Sequence, residues 1–91
     1  MVIIISMFTV RYSKQSVKVL RKIPSGIASK IQAVLLNIAK NPVVYQGDWK
    51  RLEGTDFWRL RVGGWRAVCD VQNGELILLV LKIAPRGDVY K

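Results

Sequence analysis

The sequence contains no histidine and a single cysteine, Cys69. Those absences remove whole classes of chemistry. No imidazole is available as a base near neutral pH, no ligand set for zinc exists, and no thiol–imidazole pair can form, so neither a metal nor another cofactor is expected. A disulfide within the chain is excluded as well, which fits a cytoplasmic protein. Acidic residues are missing from the whole of residues 1–47, where Arg11, Lys14, Lys18, Arg21, Lys22, Lys30 and Lys40 stand unopposed, while eight basic and six acidic residues follow from Asp48 onward. The net charge of +9 is therefore concentrated in the front half. Such asymmetry points to nucleic acid, an acidic protein or an anionic membrane as partner, and does not choose among them. Long apolar runs are absent too. Val2 to Val10 is far too short to span a bilayer and no basic segment precedes it, so neither a transmembrane helix nor a signal peptide is expected and no membrane partner is implied.

What is present fits one domain over residues 1–91, large enough for a single core. Its most informative stretch is Phe57-Trp58-Arg59-Leu60-Arg61-Val62-Gly63-Gly64-Trp65-Arg66. Aromatic and branched residues alternate with arginines at period two, and Gly63-Gly64 supplies the positive φ angles of a tight hairpin. With the glycines as the turn, Val62 faces Trp65, Arg61 faces Arg66, Leu60 faces Ala67, Arg59 faces Val68 and Trp58 faces Cys69. One face then collects Trp58, Leu60, Val62, Trp65, Ala67, Cys69 and Val71, and the other Phe57, Arg59, Arg61, Arg66, Val68 and Asp70. Cys69 reads as buried filler.

That register sets Arg61 directly across from Arg66, about 4.5–5.5 Å apart at Cβ, where like charges destabilise a sheet. Folding gains nothing from the pair. Arginines converging on an open face instead suit an anionic ligand, phosphate above all, because the planar guanidinium grips two oxygens at once.

The rest of the chain builds around this hairpin. Val2 to Val10 reads as a first strand. Ser13 caps a short helix with Val17, Leu20 and Ile23 on one side and Lys14, Lys18, Arg21 and Lys22 on the other, ended by Pro24. Ser25 caps a second helix whose core stripe is Ile27, Ile31, Val34, Leu35 and Ile38, stopped by Asn41-Pro42. An irregular connection runs from Pro42 to Asp56 and holds Trp49, Lys50 and Arg51. Asn73-Gly74 marks a second two-residue turn, and Leu76 to Ile83, apolar on both faces, is an interior strand that pairs with the first. The expected fold is α+β: a four-stranded, mostly antiparallel sheet with two N-terminal helices packed on one face, in the order β-α-α-β-β-β.

Three segments together, Leu52-Glu53-Gly54, Trp58 through Val68, and Val80 through Arg86-Gly87-Asp88-Val89-Tyr90, resemble the RelE/ParE superfamily of bacterial toxins, and so does the element order over nearly the whole chain. The resemblance implies a cytoplasmic toxin of a toxin–antitoxin pair, held inactive by its antitoxin. In the RelE branch the toxin enters the ribosomal A site and cleaves messenger RNA; in the ParE branch it inhibits DNA gyrase. The retained basic residues and the terminal Arg86 and Tyr90 favour the RelE reading, a metal-independent endoribonuclease, with gyrase inhibition second and a non-catalytic RNA-binding domain third.

Cleavage of this kind uses the substrate's own 2′-hydroxyl as nucleophile. Arg61, Arg66 and Arg86 are candidates to hold the scissile phosphate and stabilise its extra negative charge, and Tyr90 to stack on a base or exchange a proton. Arg59, Lys50, Arg51 and the helix cations Lys14, Lys18, Arg21 and Lys22 are candidate RNA contacts through charge. Family members often carry lysines on the first hairpin strand, where Arg59 and Arg61 stand here. Arginine does not release its proton, so the base is left open among Tyr90, Asp70, Asp88 and a ribosomal group. Asp70 and Asp88 read better as ion-pair partners of the arginines. Trp58 and Trp65 are core anchors by register, and Trp49 has no assigned side.

Overall fold

The computed structural model describes residues 7–85. Within them the elements are β1 (Thr9–Tyr12), α1 (Lys14–Lys22), α2 (Ser25–Lys40), β2 (Trp49–Arg51), β3 (Phe57–Val62), β4 (Trp65–Gln72) and β5 (Ile77–Pro85). The sheet has five strands in the order β1-β5-β4-β3-β2. The expected four-stranded sheet is thus one strand short, because β2 forms inside the stretch read as irregular. Its three residues carry no period of their own and are recruited by pairing with β3, Trp49 against Leu60 and Arg51 against Trp58.

The central hairpin has the register its alternation dictates, from Val62 against Trp65 to Phe57 against Asp70. Gly63 sits at φ +57°, a left-handed conformation that costs a residue with a Cβ. β1 pairs with β5 as expected, in parallel, and the part of the first strand read over residues 2–6 lies outside the described residues. The second turn is longer than expected. Gln72 pairs with Ile77, leaving residues 73–76 as the connection, and Leu76 takes φ +54°. There its carbonyl accepts the Thr9 N–H at 2.8 Å, a bond that ties the turn to β1.

The helices cover one face. Ile31, Leu35 and Ile38 of α2 bury against Leu60, Val62, Ala67, Cys69, Leu78, Val80 and Ile83 of the sheet, each buried Ile, Leu or Val contributing about 1.5–3 kcal/mol. Ser25 is the first helical residue of α2 rather than its cap. Pro24 precedes it, and its carbonyl receives the Ile27 and Ala28 N–H groups. In α1 the inward side is Ser16, Val19, Leu20 and Ile23, with Val17 turned away from the main core. The reason is polar. The Ser13 hydroxyl accepts the Ser16 N–H at 3.1 Å and donates to the Leu81 carbonyl at 2.8 Å, while Ser16 Oγ donates to the Val80 carbonyl at 3.1 Å. Gln15 closes the set, its amide giving and taking one bond each with the Ile83 backbone at 3.0 and 3.1 Å. The first turn of α1 therefore continues the edge of β5 where β1 stops.

Cys69 lies in this core, fully buried, and burial pushes its thiol up to about 12 from an ordinary value of 9.0. The thiolate is the reactive form, so a thiol reagent is expected to label the native protein only through opening of the fold. The linkage has a definite sign. The unfolded thiol loses its proton first, so the stability Cys69 confers is intact below about pH 9 and falls as pH rises toward 12. Labelling at pH 8 in native buffer as fast as in denaturant would contradict this.

Candidate functional site

Residues opposed in a ladder share a face, so the registers decide what the uncovered side of the sheet carries. Arg59 and Arg61 come from β3 and Arg66 from β4, with Arg61 opposite Arg66. Two lysines join them. Lys50 of β2 stands opposite Arg59, and Lys82 of β5 stands opposite Val68. Lys82 belongs to the run read as wholly apolar, and no residue in its neighbourhood marks it as functional. It shares the face of the arginines because of an irregularity at Val68/Cys69, where the pairing passes from Lys82 to Val80 and skips Leu81. Val68 and Ala84, flanked by Leu52 and Leu81, form a small apolar patch between the cations.

The carboxylate on this face was not among the expected partners. Asp48, immediately before β2, accepts from Arg59 Nη1 at 2.9 Å and stands 3.5 Å from Arg61 Nε. Its backbone carbonyl also receives the Arg61 N–H at 2.9 Å. Asp70, read as a partner for the arginines, instead accepts from Gln72 Nε2 at 3.1 Å, and Asp88 lies outside the described residues. The two arginines differ in setting. The Arg59 side chain is only 10% exposed, whereas that of Arg61 is 39% exposed. Arg59 is therefore a buried, paired cation, and Arg61 an accessible one. Arg66 is half-buried across from it.

The other expected site residues are distributed around the molecule. Arg51 lies across from Trp58, on the helix side by register, and pairs with Asp56 at 3.0 Å in full solvent, a contact that contributes little to stability. Lys14, Lys18, Arg21 and Lys22 are exposed on α1. The first three, with Val17 and Tyr12, line a shallow hollow beside β1. Burial, reinforced by Cys69, raises the Tyr12 phenol above its ordinary value. Arg86 and Tyr90 lie outside the described residues. Trp49 is resolved: it is buried, stacks on Trp58 with ring centroids 5.1 Å apart, and donates its Nε1–H to the Pro42 carbonyl at 3.0 Å. Trp65 packs on the core as expected. None of the three indoles serves the uncovered face.

Chemically, the arrangement is a cradle for an anion. It offers several donors around an accessible guanidinium on a sheet side that no helix of the described residues covers, and a phosphodiester suits it better than a single small ion because the cations are spread over several strands.

Residues 10–90 match the family model described as ParE toxin of type II toxin-antitoxin system, parDE. The chain is 30% identical over 86 residues to the Methanocaldococcus jannaschii protein assigned as toxin RelE1, covering 92% of this chain and 96% of that one. Among solved structures it superposes on the archaeal RelE–RelB complex from Pyrococcus horikoshii OT3 with a TM-score of 0.79 and 28% identity, covering 92% of this chain and 100% of that one. The isolated E. coli RelE toxin shares the fold with a TM-score of 0.74 at 20% identity, covering 93% and 92% of the two chains.

Proposed function

Because the chain belongs to the RelE/ParE superfamily, toxins of type II toxin–antitoxin systems, we propose that it is a ribosome-dependent endoribonuclease that cleaves messenger RNA in the A site and so inhibits translation in the cytoplasm. The observation that carries this reading is the accessible Arg61 set against Arg66 on the uncovered sheet face, flanked by Arg59, Lys50 and Lys82. A like-charge pair that folding does not need supports an anionic substrate.

In the reaction the 2′-oxygen forms a bond to phosphorus as the bond to the 5′-oxygen breaks. The 2′-hydroxyl gives up a proton and the departing oxygen takes one. Arg61 and Arg66 grip the non-bridging oxygens, whose negative charge grows in the transition state. Arg86 and Tyr90 complete the set from the terminal segment, Arg86 on the phosphate and Tyr90 on a base or a proton. No metal takes part. Lys14, Lys18, Arg21 and Lys22 of α1 hold RNA backbone by charge, a contact that weakens as salt rises. An antitoxin partner is supported by the RelB-bound P. horikoshii relative, and the cationic surface suits an acidic segment of it.

A second reading, gyrase inhibition by protein binding, is favoured by the match to the ParE family model. Primer extension on a reporter messenger in a reconstituted translation reaction separates the two. Wild type is expected to give ribosome-dependent cuts at A-site codons that vanish in Arg86→Ala/Tyr90→Phe. Intact messenger with folded wild type would sink the nuclease reading, and loss of gyrase supercoiling would then support the second.

A further inference from the structure

Asp48 has no place in the reaction as written, yet its carboxylate touches both β3 arginines of the uncovered face. The two contacts differ in kind. The bond to Arg59, at 2.9 Å with the guanidinium nearly buried, keeps a cation from being stranded in the protein. The approach to Arg61, at 3.5 Å with both side chains about two-fifths exposed, contributes little to stability. It does favour one orientation through charge. Arg61 turns its Nε toward the Asp48 carboxylate at ion-pair rather than hydrogen-bond distance, and its own backbone N–H is bonded to the Asp48 carbonyl at 2.9 Å, so side chain and backbone both approach one residue. A guanidinium whose Nε side faces a carboxylate leaves its Nη1/Nη2 edge for a phosphate, the edge that makes two parallel bonds to an oxyanion.

Resting on the nuclease reading above, we propose that Asp48 is a positioning residue for phosphate binding: its carboxylate, braced by Arg59, sets the plane of the Arg61 guanidinium so that the Nη edge faces the scissile phosphate. It also cancels part of the charge that would otherwise draw RNA phosphates to Arg59. RNA is thereby directed to Arg61 and Arg66.

Orientation and charge make opposite demands on Asp48→Asn, which gives the test its sign. Losing a negative charge beside the site strengthens binding of a short RNA by roughly two- to fivefold at low salt. Losing the orientation slows single-turnover cleavage on programmed ribosomes by roughly ten- to a hundredfold. A merely structural role would lower binding and cleavage together. Asp48→Glu keeps the charge and shifts the carboxylate by one methylene. It is expected to bind RNA as wild type does and to cleave at an intermediate rate. Fluorescence anisotropy, single-turnover kinetics and a melting curve on each variant supply the readouts.

An Asn variant that cleaves at the wild-type rate, or that loses binding and rate in parallel, overturns the proposal. Should Asp48→Asn fail to fold, Asp48→Glu decides alone, and full-rate cleavage by it is equally fatal. Wild type that leaves messenger whole sinks the nuclease reading and this role with it. Wild-type cleavage with unaffected Asp48 variants sinks only the role.

Discussion

Arg61→Ala and Arg66→Ala are each expected to slow messenger cleavage by roughly a hundred- to a thousandfold, the cost of removing one donor aimed at developing charge. The melting temperature of Arg61→Ala should hold or rise slightly. Both halves follow from geometry. The two side chains face each other across the β3–β4 ladder, so deleting Arg61 relieves a repulsion of some tenths of a kcal/mol. Arg61 is also accessible, and its contact with Asp48 is long. Activity that collapses while stability is kept is the signature of a residue retained for a ligand. Lysine at either position restores charge without the fork and should recover only part of the rate. The double variant should fall little below the worse single one, because both donors serve one transition state. Arg59→Ala is a poorer probe, since it removes a nearly buried side chain and the shorter of the two contacts to Asp48, and so mixes unfolding with lost chemistry. Single-turnover rates beside melting curves decide the matter, and alanine variants with undiminished cleavage would move the chemistry off this face.

The central hairpin and its two faces were legible because alternation at period two and the Gly63-Gly64 turn give the same register. The α2 stripe was legible because it spans several turns. β2 was not, since three residues carry no period and become a strand only by pairing with β3. Lys82 was hidden by its neighbours. A lone lysine in an apolar run announces no side, and the register skip at Leu81 that sets its pairing is a tertiary fact. Asp48 was missed because it lies in the stretch read as irregular and reaches the arginines only through the β2–β3 pairing, whereas Asp70 stands on the hairpin strands themselves. Signals that did exist were short polar ones: a glycine and an aspartate just before Trp49 mark an entry to an element. Ser16 shows the same limit within a helix. A serine on the inward side breaks an apolar stripe, and only the Val80 carbonyl, which accepts from Ser16 Oγ as well as from the Ser13 N–H, explains it.

Trp49→Ala is expected to cost about 3–5 kcal/mol, a large part of the roughly 5–15 kcal/mol that holds a domain of this kind together. At about 4–8 °C per kcal/mol for such a domain, the melting temperature should drop by more than ten degrees. Trp49 is 5% exposed, stacks on Trp58 with the planes 15° apart, and its Nε1–H satisfies the Pro42 carbonyl. Deletion opens a cavity at the sheet edge, removes the stack and strands a buried acceptor. Trp49→Phe separates these effects: it keeps an aromatic over Trp58 and loses the bond, at a cost of about 1–3 kcal/mol. The residue also links stability to the site, because it directly follows Asp48 and anchors β2 against Leu60. An unseated indole would release the carboxylate that holds Arg59 and Arg61, so cleavage by folded Trp49→Phe should fall more than RNA binding does. Thermal melts of the two variants check the packing. A shift of only a degree or two for Trp49→Ala would place the indole outside the core in solution and return it to the surface as a candidate for stacking on a base.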